Sequence, residues 1–134
     1  MLTGLLRSTA GQASLMGKDL FGNMTWLREQ LGVCPQHNIL FDFLTAREHL
    51  ELYASFKGVP EDLIRKRVDK MVHEIELNDI QHQLANTLSG GQKRKLSVGI
   101  ALIGDSKVIM LDEPTSGMDT TTRRRFWEMV KLYK

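Results

Sequence analysis

Apolar residues recur at helical spacing through the middle of the chain. Each set repeats every three or four residues, as the inward face of an α-helix does. The sets are Leu50, Tyr53 and Ala54, then Ile64, Val68, Met71, Val72 and Ile75, and finally Leu96, Ile100 and Ile103. Thr45 and Glu48 have the spacing of a capping box, and Gly58 ends the helix that they begin. The pattern predicts a helical region between residues 37 and 106.

Shorter apolar runs on either side of this region predict strands. Val108 to Leu111 is continuously apolar and too short for most helices, so we expect a strand that is buried on both faces. Gly32 to Cys34 predicts a second strand, and Ser14 to Met16 a very short one. Helices are expected from Asn23 to Leu31 and from Arg123 to Tyr133. Strands that alternate with helices indicate an α/β fold with a parallel sheet.

Two acids, Asp112 and Glu113, directly follow the apolar run from Val108 to Leu111. Acids at the carboxyl end of such a strand face the crevice in which α/β sheets bind ligands. In phosphoryl chemistry one carboxylate holds Mg²⁺ while its neighbour orients or deprotonates the attacking water. We assign Asp112 to the metal and Glu113 to the water. The alternative is that both acids merely end the strand and begin a turn before Pro114.

A glycine pair opens the helix that contains Leu96. The segment is Ser89, Gly90, Gly91 and Gln92. Backbone amides at a helix start are unpaired, the helix dipole favours an anion there, and glycine lets the anion approach closely. The Ser89 hydroxyl adds a donor. These residues therefore predict a phosphate-binding site, and the alternative is an ordinary turn at a helix start.

Composition and charge narrow the function classes. With 134 residues the chain is large enough for one core, and its net charge of +2 gives no indication of a nucleic-acid partner. The basic runs Lys93 to Lys95 and Arg123 to Arg125 are expected on solvated helix faces. No apolar stretch approaches the roughly 18 residues of a membrane-spanning helix. Cys34 is the single cysteine and is expected to be a buried packing residue in a reducing setting.

Four motifs in order carry a family resemblance. They are CPQHN at residues 34–38, LSGGQ at 88–92, VIMLDEP at 108–114 and SGMD at 116–119. Together they resemble the nucleotide-binding domain of ABC transporters, and in detail the A subfamily of eukaryotic lipid transporters. The resemblance implies a Q-loop in which Gln36 reaches both the metal and the attacking water. It also implies a signature motif at Leu88 to Gln92, a Walker B strand that ends in the catalytic Glu113, and a D-loop that includes Asp119.

The resemblance also implies an architecture and partners. The fold would be P-loop NTPase-like, with a partial core sheet from residues 1–36 and 107–134 and a helical subdomain from residues 37–106. Ser89, Gly91 and Gln92 would contact the phosphates of ATP held by a second, head-to-tail domain, with Asp119 at the dimer seam. The segment from His37 to Phe43 would contact the transmembrane partner. The chain would lie on the cytoplasmic face of a membrane through its parent transporter.

One expected motif, the P-loop G-x-x-x-x-G-K-[ST], does not occur in the 134 residues. Gly17 and Lys18 are followed by Asp19, and Gln12 stands where the first glycine is required, so we expect a turn before a helix there. Residues 1–5 resemble the end of the helix that follows the P-loop, and the switch histidine would follow one strand after the last helix. We therefore expect the isolated chain to hydrolyse no ATP.

Three function classes remain open on the sequence. The first is the ATPase domain of a transporter whose parent couples ATP hydrolysis to the movement of lipid or another substrate. The second is a soluble ABC-type ATPase that acts on DNA or ribosomes. The third is a non-catalytic product of a truncated gene that at most pairs with an intact domain.

Overall fold

Residues 9–131 and 133 are described by the computed structural model. The expectation for residues 1–5 lies outside them. The helices are α1 (Met24–Gln30), α2 (Ala46–Phe56), α3 (Glu61–Glu74), α4 (Gly90–Leu102) and α5 (Thr120–Lys131). The strands are β1 (Ser14–Leu15), β2 (Lys18–Asp19), β3 (Leu31–Cys34) and β4 (Val108–Leu111), and short 3-10 turns cover Asn78–Ile80 and Ala85–Thr87. No helix in this part of the chain has the length and apolarity needed to cross a bilayer.

Strands β3 and β4 pair in parallel, as predicted. The register places Leu31 beside Val108 and Cys34 beside Leu111, so both strands end at the same edge of the sheet. The amide of Asp112 continues the ladder by donating to the carbonyl of Cys34 at 2.9 Å. The residues that follow the two strands are thereby brought side by side.

The prediction that β4 is buried on both faces was wrong. Each of its residues is only partly buried, and in the described part of the chain β4 pairs with β3 alone. The prediction for Gly17 and Lys18 also needs correction. Met16 and Gly17 have φ angles of 52° and 76° and form the turn of a hairpin, so β2 follows them rather than a helix.

The helical region follows the sequence pattern closely. Thr45 and Glu48 form the predicted capping box, and Gly58, with φ of 73°, follows the end of α2. Helix α5 begins three residues before the predicted Arg123 and ends at Lys131. The predicted stripes of α2 and α3 lie in one core, whose buried members include Leu50, Ala54, Val68, Met71, Val72 and Ile75.

Helix α4 is the central helix of the fold. Its residues from Leu96 to Leu102 are all buried, as expected of a helix enclosed on every side. It packs on β3 so closely that a Cβ atom at Gly32 would lie 2.1 Å from the carbonyl oxygen of Ala101. Helix α4 therefore connects the sheet with α2 and α3.

A second connection between the helices and the sheet is made by Lys57. This partly buried residue follows α2, and its ammonium donates to the carbonyl of Leu31 and lies 3.4 Å from the Ser106 hydroxyl. Burial lowers the pKa of Lys57. The contact lies at the amino end of β3, which is opposite to the edge where the two strands end.

Candidate functional site

Helix α4 begins with a capping box that the sequence analysis did not identify. The Ser89 hydroxyl accepts from the Gln92 amide at 3.3 Å, and the Gln92 side-chain oxygen accepts from the Ser89 amide at 2.8 Å. The signal was present in the sequence as the S-x-x-Q spacing of residues 89–92. The capping box orders the first turn of the helix. Because the Ser89 hydroxyl accepts in the box, its own proton is available for donation to a ligand.

The amides of Gly90 and Gly91 have no carbonyl partner within the helix, because they belong to its first turn. A Cβ atom built on either glycine would meet nothing within 4 Å. Both glycines also line an open cleft, so a ligand can approach this turn. An anion placed there would face two N–H donors and the positive end of the α4 dipole.

The predicted catalytic side chains meet at the carboxyl ends of β3 and β4. The amide nitrogen Nε2 of Gln36 donates to Oε2 of Glu113 at 3.5 Å, across 77 residues of sequence. Gln36, Asp112 and Glu113 are all exposed to solvent. A water molecule or a ligand therefore has direct access to these groups.

Glu113 has an unusual backbone. Its φ is 43°, a left-handed value that costs a residue other than glycine about 1–3 kcal/mol. Its carbonyl accepts from the Ser116 amide at 3.1 Å, which closes a turn directly after β4. The turn directs the Glu113 side chain towards Gln36 instead of along the strand.

The two oxygen-bearing side chains assigned to the metal suit Mg²⁺. Asp112 offers a carboxylate and Gln36 a carbonyl oxygen, and both follow paired strands at one edge of the sheet. Mg²⁺ in proteins is usually held by one or two carboxylates together with substrate phosphate oxygens. The chemistry of these donors therefore fits this ion, which they would hold together with phosphate oxygens of a nucleotide.

A cleft of about 680 Å³ separates the start of α4 from the start of α5. Its lining includes Gln36, Asn38, Ser89, Gly91, Gly117 and Asp119. The three motifs predicted from sequence at residues 34–38, 88–92 and 116–119 thus contribute to one concave surface. The acids Asp112 and Glu113 do not line it, but Gln36, which contacts Glu113, does.

Asp119 caps helix α5. Its Oδ2 accepts from the amides of Thr121 and Thr122, each at 3.1 Å, and its Oδ1 accepts from the Thr122 hydroxyl at 2.5 Å. The hydrogen bonds from Thr122 lower the pKa of the Asp119 carboxyl. The structure thus displays a capping role for Asp119, and its role at a dimer seam stays a prediction.

The basic runs divide into exposed and buried residues. Arg123, Arg124 and Arg125 lie on the exposed side of α5, as predicted. Arg94 does not, because only 2% of its surface is exposed. Its guanidinium donates to backbone carbonyls at the ends of both strands, and its Nε is buried without a hydrogen-bond partner among the described residues. An unpaired buried donor costs about 1–3 kcal/mol.

Cys34 is buried at the end of β3, as predicted. Burial raises the pKa of its thiol, and the nearby Arg94 opposes this only in part. The residue therefore remains a neutral thiol and packs in the core as an apolar side chain does.

Comparison with protein families gives one match over most of the chain. The family model described as ABC transporter matches residues 1–116. ATP-binding cassette sub-family A member 2 of Rattus norvegicus is 49% identical over 134 residues, which is 100% of this chain and 6% of that protein. Phospholipid-transporting ATPase ABCA3 of Homo sapiens is 48% identical over 100% of this chain and 8% of that protein. The chain thus spans only a small part of these relatives.

Solved structures agree with the family match. A dimeric bacterial ABC transporter cassette superposes with a TM-score of 0.86 and 26% identity, over 96% of this chain and 60% of that one. A post-hydrolysis dimer of the same cassette, bound to ADP and Pi, superposes with a TM-score of 0.86 over 98% of this chain and 61% of that one. The predicted α/β fold of the ABC ATPase type is confirmed. This chain belongs to the ABC transporter family.

Proposed function

We propose that this chain is the segment of an ABC cassette that carries the signature motif and the catalytic carboxylates. Its parent would couple ATP binding and hydrolysis to the transport of lipid across a membrane. The observation that carries the proposal is the contact between Gln36 and Glu113 at the shared edge of β3 and β4. The names of the similar phospholipid-transporting ATPases support a phospholipid as the substrate class.

Within the proposed site, Asp112 and Gln36 would hold Mg²⁺, whose charge offsets that of the nucleotide phosphates. Glu113 would accept a proton from, or orient, the attacking water. The Gln36 amide, 3.5 Å from the Glu113 carboxylate, holds that carboxylate in place. The left-handed backbone of Glu113 supports this role, since strained conformations concentrate at functional positions.

The signature residues would act on a nucleotide held by a second cassette. Gly90 and Gly91 line an open cleft whose lining does not include the two acids, which supports a site shared between two chains. Ser89, Gly91 and Gln92 would contact phosphate oxygens from the opposite side, with Asp119 near the seam. The dimeric state of the similar bacterial cassette supports a head-to-tail pair.

The segment that follows Gln36 would contact the transmembrane part of the parent. Three apolar residues there are exposed, with Ile39 at 69%, Phe41 at 51% and Phe43 at 85%. Exposed apolar side chains in series are characteristic of a protein contact. This arrangement places the chain on the cytoplasmic face of the membrane in our proposal.

Reconstitution of the full-length polypeptide that carries this segment tests the proposed function. In phospholipid vesicles we expect ATP hydrolysis that rises with a transported phospholipid, together with movement of a fluorescent phospholipid analogue between leaflets. A rate of ATP hydrolysis that does not change with lipid but rises with DNA or ribosomes would contradict the proposal. Ribosomes and duplex DNA added to the same vesicles are therefore the comparison arms.

The 134-residue chain by itself should hydrolyse no ATP and should bind it more weakly than about micromolar. The reason is that these residues include no P-loop, whose amides and lysine hold the β- and γ-phosphates. Calorimetric titration with Mg²⁺ and ATP measures the affinity, and phosphate release measures turnover. Submicromolar binding by the isolated chain would refute this expectation.

A further inference from the structure

Arg94 joins three parts of the proposed site from inside the protein. Its Nη1 lies 2.5 Å from the Pro35 carbonyl oxygen, 3.1 Å from that of Gln36 and 3.4 Å from Asn38 Oδ1. Its Nη2 donates to the Asp112 carbonyl. The residue itself belongs to α4, five positions after Ser89. We call α4 the signature helix, because it begins within the signature motif at residues 88–92. One guanidinium thus connects the signature helix with the residues that follow β3 and β4.

The acceptors are all uncharged. Among the ion pairs formed by the described residues, none includes Arg94, in contrast to its neighbour Lys95, which pairs with Glu76 at 2.6 Å. A guanidinium with 2% exposure and no carboxylate partner does not serve as one half of a salt bridge. Its planar array of donors instead fixes the directions of several carbonyl groups at once.

The bond to the Asp112 carbonyl acts directly on the catalytic turn. That carbonyl belongs to the peptide that joins Asp112 to Glu113, and Glu113 follows it with a φ of 43°. Holding the peptide plane restricts the backbone of Glu113 and so the direction of its carboxylate. The bonds to the carbonyls of Pro35 and Gln36 restrict the backbone of Gln36, the residue that contacts Glu113, in the same way.

Ser97 strengthens the same connection one helical turn further along α4. Its hydroxyl lies 3.1 Å from Asn38 Oδ1, the oxygen that also accepts from Arg94. Both α4 side chains are buried, with Ser97 at 7% exposure. The segment after β3 is therefore attached to the signature helix at more than one point.

We propose that Arg94 is a positioning residue for ATP hydrolysis. It holds the backbones of Gln36 and Glu113 in a fixed position relative to the signature helix. The inference rests on the function proposed above. The first turn of α4 would contact the nucleotide of the opposite cassette. Movement of α4 therefore changes the hydrogen bonds that orient Gln36 and Glu113. Arg94 is 2% exposed, and we assign it an action through the backbone of Gln36 and Glu113 rather than a direct contact with the nucleotide.

Lysine is not an adequate replacement at this position. The acceptors are divided between the two terminal nitrogens of Arg94, with the Asp112 carbonyl on Nη2 and the others on Nη1. A lysine keeps the positive charge but offers one nitrogen. It can therefore replace the bonds made by Nη1 or the bond made by Nη2, but not both. Comparison of Arg94→Lys with Arg94→Leu therefore separates charge from geometry.

The test compares these variants in the full-length polypeptide with Lys57→Met as the matched control. Lys57 is also a partly buried cation that donates to a backbone carbonyl, but it does so at the far end of β3. We expect both Arg94 variants to lower kcat for ATP about 100-fold, the size typical of a small misplacement of catalytic groups, with KM for ATP within about threefold. Lys57→Met should lower the unfolding temperature while kcat stays within about twofold.

Hydrogen exchange on the 134-residue chain provides a readout that needs no activity. Faster exchange at the amides of Asp112 and Ser116, which donate to the carbonyls of Cys34 and Glu113, is expected in the Arg94 variants and not in Lys57→Met. An unchanged kcat in Arg94→Leu, or an equal loss in Lys57→Met, overturns the proposal. If the wild-type parent hydrolyses no ATP, the proposed function fails instead. Unchanged exchange at the amides of Asp112 and Ser116 in Arg94→Leu would then refute the positioning role separately.

Discussion

Glu113→Gln should lower ATP turnover by the full-length polypeptide about 100- to 1,000-fold, the loss expected when one strong transition-state interaction is removed. Glutamine has nearly the same shape, and its side-chain oxygen can still accept from Gln36, which donates to Glu113 in the structure. The substitution therefore removes the basic carboxylate while leaving the geometry of the turn in place. Phosphate release at saturating ATP is the measurement.

Binding should respond differently from turnover. Nucleotide affinity is expected to stay within about threefold, because Glu113 is assigned to the water and not to the phosphates. Glu128→Gln is a suitable control, since Glu128 is an exposed glutamate on α5 whose contact is an ion pair with Arg124 at 3.4 Å. Turnover in Glu113→Gln within tenfold of the wild type would exclude Glu113 as the group that activates water.

Gly32→Ala should destabilise the fold by about 3 kcal/mol or more, at the upper end of the range for overpacking. The added Cβ would lie 2.1 Å from the Ala101 carbonyl oxygen and 3.2 Å from the Ser106 Cβ. The nearest atom belongs to the backbone of α4, so relief requires a shift of the whole helix from β3. Because residues Leu96 to Leu102 of α4 are all buried, that shift would also disturb its contacts with α2.

Urea unfolding followed by tryptophan fluorescence measures this loss. Gly90→Ala is the matched control, because a Cβ there meets nothing within 4 Å and alanine favours a helical backbone. The control should therefore be neutral or stabilising by up to about 1 kcal/mol. Equal midpoints for Gly32→Ala and Gly90→Ala would show that the contact between β3 and α4 is looser than the structure indicates.

Elements governed by neighbours in sequence were predicted well. The capping box at Thr45, the end of α2 before Gly58 and the stripe from Val68 to Ile75 all follow from spacings of three or four residues. Such signals are local because a helix satisfies its hydrogen bonds within itself. The burial of Cys34 was also predicted, since a lone cysteine in an apolar strand favours the core.

The errors arose where a residue's environment depends on distant parts of the chain. Arg94 was expected on a solvated face because it stands between two lysines, yet it lies beneath the ends of β3 and β4. A weak signal existed, since Arg94 shares a helix face with Val98 and Ala101 at the i+4 and i+7 positions. The partial exposure of β4 has the same origin, because the faces of a strand are covered by elements that are distant in sequence.

The sequence by itself determined the family and the positions of the main helices and of β3 and β4, and it predicted which residues carry phosphate chemistry. Only the tertiary structure decided that Gln36 and Glu113, separated by 77 residues, lie 3.5 Å apart, and that Arg94 connects them to the signature helix. The physical reason is that periodicity and capping are set within one helical turn. The distance between two strand ends is instead set by their pairing register and by the helix that packs across them.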